Sequence, residues 1–344
     1  MLTPLTPSTL TTPRERGAWR WMMVLACLSV LGLVLGCMVG SNGWMTDLIG
    51  GADPVEALIL WDIRLPRSVG AWLGGALLAL AGAVAQGLFR NPLADPYLLG
   101  SASGASLGWM VGLLLAGQGA MELTWFQRLG FTGLAFVGAL LAVWVTVLLA
   151  RGVQHTVRLL LAGVIVGVMI GAVTALLSMW RPELLMAMQG FLLGSTAFIG
   201  WSSVGLMASV WCLCVVVSIA AARVLDALTL GGTTAHSLGL SLAGYRLGLL
   251  TVFALATATA VAQMGLVAFI GLAAPHMARA CVAVTHRWHL WLSTLMGGTL
   301  LLWSDLLARG LLAPQELPVG VLTAVLGGGY LLFLMSRQRG DGVR

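Results

Sequence analysis

The chain has 344 residues, of which 59% are hydrophobic and only 9% charged. A soluble domain carries about a quarter charged residues, so this composition excludes an ordinary soluble enzyme and a disordered chain and leaves a polytopic membrane protein. All 18 basic residues are arginine, which removes any P-loop lysine and any lysine Schiff base, and a net charge of +6 reads as topology-setting arginine rather than a nucleic-acid footprint.

Residues 1–17 are polar and rich in Thr and Pro, and are expected to form a cytoplasmic tail. Arg14, Arg16 and Arg20 then lead into an apolar run to about Gly40. The run is about twice a secretory h-region and no A-x-A site follows, so an uncleaved first membrane helix is expected. A spanning helix needs about 20 apolar residues. Ten spans meet this: 20–40, 68–89, 98–117, 128–150, 158–179, 201–222, 245–264, 267–284, 289–309 and 317–336. The eighth is the shortest and carries Pro275, His276 and Arg279. Residues 182–200 fit a short interfacial or re-entrant helix. The chain thus reads as one all-α membrane domain over 18–337, with a cytoplasmic tail at 338–344.

With the N-terminus inside, 13 arginines fall at cytoplasmic ends and 5 at outer ends. That is a positive-inside bias over short loops, so both termini are expected in the cytoplasm. Ten spans divide into two inverted five-helix halves. Ala83-Val84-Ala85-Gln86 recurs as Ala260-Val261-Ala262-Gln263, and inverted repeats are a common transporter construction.

No catalytic constellation is present. Cys212 and Cys214 lie two apart on a helix and project to different faces. His286 and His289 sit at an inner membrane edge. Neither pair reads as a metal site, and no resident cofactor is expected. The five cysteines lie in apolar stretches and read as buried reduced thiols. Trp19, Trp21, Trp44, Trp125 and Trp288 suit interfacial anchoring.

Polar interruptions of spanning segments carry more information, because polar groups there are expensive and tend to mark function. The richest runs from Gln86 to Ala105, with Asn91-Pro92, Asp95-Pro96 and a Gly/Ser/Ala stretch behind them. Arg64-Leu65-Pro66-Arg67, then Gln86-Gly87, Asn91-Pro92-Leu93-Ala94, Asp95, Pro96 and Leu98-Leu99-Gly100 with Ser103-Gly104-Ala105, resembles the FecCD/BtuC-type permease family. A second motif, Gly265 to Phe269-Ile270-Gly271-Leu272, Pro275-His276 and Arg279, agrees, as does Glu316-Leu317-Pro318-Val319-Gly320. The similarity covers about residues 60–337.

That resemblance implies a ten-helix subunit of an ABC importer for iron chelates, haem or vitamin B12. It implies a homodimer in the bacterial inner membrane, two ATP-binding subunits on the cytoplasmic face and a periplasmic substrate-binding protein. ATP and Mg would be used by the partner, and this chain would not be an enzyme. It places a coupling segment within 223–245, at Thr233, Thr234, Ala235, His236, Ser237, Leu238 and Gly239. Here the sequence lacks the family's usual acidic residues and arginine. An outer gate is expected at Met179, Arg181, Glu183, Met186 and Gln189, where Arg181 could meet an anionic ligand group, an acid on a docked binding protein, or simply Glu183. Phe191 stands where the family commonly has Trp. The cargo reading favours haem or a ferric siderophore, with vitamin B12 as the alternative. From a different class, an ion-gradient-driven transporter would need a mid-membrane acid. Asp305, one turn from Arg309, is the best candidate.

Overall fold

A computed structural model describes residues 13–40, 43–44, 54–116, 125–152, 156–229 and 242–341. The long helices are α1 (Pro13–Met38), α3 (Leu65–Phe89), α5 (Trp125–Leu149), α6 (Thr156–Trp180), α8 (Trp201–Ala220), α10 (Leu242–Met264), α12 (His286–Gly310) and α13 (Val319–Asp341). Shorter ones are α2 (Pro54–Leu58), which passes through a π-type turn (Ile59–Arg64) into α3, and α4 (Ser101–Ala116), α7 (Glu183–Leu193), α9 (Ala222–Thr229) and α11 (Ile270–Cys281). Val39–Gly40 and Gly43–Trp44 form a minimal antiparallel pair.

Among the described residues, seven helices are long and apolar enough to cross a membrane. The other three expected spans coincide with α4, α11 and the apolar part of α13. The reading of 182–200 as a short helix is met by α7. Two expected spans are not full helices. The third, 98–117, is helical only over α4, and the eighth, 267–284, only over α11. At 1.5 Å per residue α11 is about 18 Å long, short of a bilayer core of about 30 Å. Both deficits have the same cause. The chain ahead of each helix travels as non-helical backbone within the protein.

Helix α3 forms the centre. It is apolar and small on every face, and a helix of that kind belongs in a core; its residues from Pro66 to Phe89 are almost all buried. It packs chiefly against α12, with α10, α11 and α8 around it. Small residues set these distances. A Cβ at Gly82 would run into the carbonyl oxygen of Gly271, and one at Gly75 into that of Gly297. Pro275, inside α11, has no N–H to offer the Gly271 carbonyl, so that oxygen is left facing α3.

The first helix is part of the bundle. Ser29 Oγ lies 2.8 Å from Thr299 Oγ1 on α12 and accepts from Trp72 Nε1 on α3 at 3.0 Å.

Candidate functional site

The four-residue repeat marks two equivalent chain breaks. Gln86 lies in the last turn of α3 and Gln263 in the last turn of α10. Each helix ends on a left-handed residue, Arg90 at φ +50° and Gly265 at φ +71°. Helix α9 packs at the Gly87 end of α3, and α10, which follows it, ends with Met264 against Gly74. The two repeat helices therefore run in opposite directions, as an inverted pair requires.

The breaks meet each other. After Arg90 the chain climbs back along α3, and Pro96 comes to rest against Gly271. Tyr97 Oη donates to the carbonyl of Val267 at 2.9 Å and accepts from the N–H of Val267 at 3.2 Å. The neighbouring groups of the second break are also satisfied. Leu266 N–H bonds Phe191 O at 2.9 Å, and Ser195 N–H bonds Met264 O at 2.7 Å. Irregular backbone at membrane depth is tolerated only when protein covers it in this way.

Most motif residues serve this junction. Gln86 Nε2 bonds both Ala94 O and Leu272 O at 3.3 Å, bridging the two breaks. Asn91 and Asp95 fold the climbing strand onto itself, accepting from Leu93 N–H at 2.9 Å and Tyr97 N–H at 2.8 Å. Pro92 is exposed at the turn. Gly100 adopts φ +80° just before α4. Gly104 lets α4 touch the backbone of α5 at Gly138. His276 Nδ1 lies 2.9 Å from Tyr330 Oη, tying α11 to α13. Pro66 opens α3 and Pro318 stands just before α13.

The gate candidates lie beside this junction. Helix α7 buries Leu184, Met188 and Phe191, and the Phe191 ring stacks on Trp109 at 4.8 Å. Met179, Met186 and Gln189 are exposed. Arg181 and Glu183 form an exposed pair at 3.4 Å. All five residues are thus exposed, around the turn from α6 into α7.

One end of α3 holds a buried ionic cluster. Arg67 Nη2 lies 3.1 Å from Asp305 Oδ1, and Arg67 Nη1 reaches Glu316 at 2.9 Å. Arg309 and Thr196 also bond Asp305. Arg309 further reaches Gly36 O and Ser68 Oγ, each at 3.3 Å. Arg64 bonds the carbonyls of Cys37 and Met38 at 3.2 and 2.9 Å, closing the end of α1. Asp305 is 0% exposed, and its oxygens are occupied by two guanidinium groups and a hydroxyl. The expected Asp305–Arg309 pair is present, but no free mid-membrane acid remains there for ion coupling. Thr196 and Tyr97 are not singled out by the sequence, and Glu316 is singled out only as part of a motif. Their partners lie 109, 170 and 249 residues away, beyond any local pattern.

At the other end of α3, Arg90 and Arg279 border a cavity with His286 and His289. Helix α9 is fixed nearby. Asp226 accepts from His286 N–H at 2.9 Å and lies 2.7 Å from its Nδ1. The residues expected to couple to an ATPase, Thr233, Thr234, Ala235, His236, Ser237, Leu238 and Gly239, come after α9 in the chain and lie outside the described residues. Among the described residues no group of three metal-ligating side chains is present.

The FecCD transport family matches residues 22–337. The chain belongs to that family. It is 39% identical to a hemin transport system permease protein, HmuU, of Yersinia pestis, over 81% of this chain and 84% of that protein. It is 35% identical to a vitamin B12 import system permease protein, BtuC, of Shigella boydii, over 96% of this chain and 99% of that one. A solved structure described as an inward-facing conformation of a metal-chelate type ABC transporter superposes with a TM-score of 0.82 at 26% identity, covering 92% of this chain and 99% of the other. The FecCD permease described here is thus an all-α, multi-pass membrane protein of a transport family.

Proposed function

We propose that the chain is the permease subunit of an ABC importer that carries a metal chelate, haem or a ferric siderophore first, across the bacterial inner membrane. The family match over nearly the whole chain carries this reading, and the hemin permease similarity supports the cargo class. Vitamin B12 is the second reading, favoured by full-length similarity to BtuC.

In this proposal two copies pair around a central pathway. Two ATP-binding subunits dock on the face that carries α9, and a periplasmic binding protein docks on the opposite face. The absence of lysine supports a borrowed ATPase. The arginine bias supports cytoplasmic termini. ATP binding in the partner moves residues 233–239, and α9, held to α12 through Asp226 and His286, passes that motion to the bundle. The Met179, Arg181, Glu183, Met186 and Gln189 surface forms the outer gate. The permease contributes a mostly apolar path and the binding protein selects the cargo.

Uptake of labelled haem, a ferric siderophore and labelled cobalamin, compared in a strain with and without this gene, tests the proposal. Loss of one cargo alone names it. Unchanged uptake of all three, or gene-dependent flux that survives ATP depletion, contradicts it.

A further inference from the structure

The arginines at the Arg90 end of α3 have no role in the transport scheme above. A cavity of about 400 Å³ opens there between the end of α3, the turn at Pro92, α9 and the start of α12. Arg90 and Arg279 both line it, and neither guanidinium makes a hydrogen bond or ion pair among the described residues. Three of the lining side chains carry a buried polar atom without a partner: Gln86 Oε1, Arg279 Nη2 and His289 Nδ1. Gln86 and His289 are 2% and 4% exposed. Such orphans are uncommon and call for an explanation.

Among the described residues, no carboxylate lies in an ion pair with Arg90 or Arg279. Asp226 is engaged by His286, Asp95 by the N–H of Tyr97, and Glu15 by Trp288 Nε1 at 3.4 Å. Residues 1–12, 153–155, 230–241 and 342–344 contain no Asp or Glu, so those segments bring no carboxylate to neutralise the two arginines. The Asp226 carboxylate caps the start of α12 through His286 N–H, so its charge is engaged at that helix end and not by the two arginines. A second cavity of about 610 Å³ shares Arg279 and Val284 and is bordered by Arg14, Glu15 and Trp288, the last a residue type suited to headgroup depth.

We propose that this cavity binds a phosphate oxyanion, supplied by the headgroup of an anionic phospholipid. Arg279 and Arg90 hold the phosphate oxygens, His289 contributes a ring N–H, and a headgroup hydroxyl donates to Gln86 Oε1. Basic pockets between membrane helices on the cytoplasmic side are suited to lipid phosphates. The Gln86 acceptor selects a headgroup that also carries a donor, such as glycerol. The site ties lipid to the helix end where α9 leaves the bundle, and it does not depend on which cargo is carried.

The test is native mass spectrometry of the delipidated full-length protein, titrated with phosphatidylglycerol or phosphatidylcholine, with and without inorganic phosphate. The expected result is preferential phosphatidylglycerol binding that Arg279→Gln weakens about tenfold, the scale of one hydrogen bond to a charged group. Arg90→Gln, at an exposed position, weakens it in the same direction and serves if Arg279→Gln fails to fold. Arg223→Gln, an exposed arginine on α9, leaves it unchanged. Phosphatidylglycerol binding that free phosphate does not displace assigns the site to a headgroup. Displacement by free phosphate keeps the oxyanion site but assigns it to a soluble phosphate. Equal binding of both lipids, or an equal loss in all three variants, overturns the proposal.

Discussion

Asp305 shows how one side chain can carry an assembly. It sits on α12, yet it gathers Arg67 from α3, Thr196 from the turn after α7 and Arg309 from its own helix. Removing one partner of a buried ion pair leaves uncompensated charge and costs about 3–5 kcal/mol. Asp305→Ala is therefore expected to lower the thermal unfolding midpoint of the detergent-purified protein sharply. Arg181→Gln breaks only the exposed pair with Glu183 and is expected to move the midpoint little, since such pairs contribute about 0–1 kcal/mol. Equal midpoints for the two variants would contradict this account. Local spacing revealed the 305–309 pair because one helical turn joins its members. It could not reveal Arg67 or Thr196 as partners, because only packing of α3 and the α7–α8 turn against α12 brings them in.

The instructive elements are the two shortened helices. Apolar composition predicts full spans at 98–117 and 267–284, because hydropathy registers burial and not helical geometry. Prolines at 92 and 96 and left-handed residues at Arg90, Gly265 and Phe269 keep the preceding chain out of a helix. The exposed peptide groups then need partners, and Tyr97 supplies both for Val267. Tyr97→Phe removes that donor and acceptor together and leaves buried groups unsatisfied, at about 1–3 kcal/mol. A lower unfolding midpoint and faster hydrogen exchange at residues 265–269 are expected. Unaltered exchange there would show that the two breaks are not held by this side chain.

At the scale of the molecule, two ends of one buried helix are chemically distinct. Arg67 and Phe89 are about 33 Å apart along the α3 axis, close to the thickness of a bilayer core. The Arg67 end is closed by a charge-balanced cluster, and the Arg90 end keeps two arginines, Arg90 and Arg279, without an ion-pair partner among the described residues. In the proposed importer the second end meets the ATPase. Replacing Ser237 with a bulky charged residue is expected to leave ATP hydrolysis by the assembled transporter intact while abolishing uptake. Wild-type uptake in that variant would remove residues 233–239 from the coupling role.

Composition and apolar run length alone determined that the chain is a helical membrane protein and where nearly every helix lies, and the resemblance of its ordered motifs pointed to its family. These properties are local, because solvation by lipid acts on each segment separately. The tertiary structure decided what the motif residues do. Gln86, Pro96, Gly271 and Pro275 prove to be parts of one junction between two chain breaks, and Asp305 proves to clasp Arg67, Arg309 and Thr196 together. Those roles depend on partners over a hundred residues away. They follow only when small residues let helices approach closely enough for buried polar groups to satisfy one another.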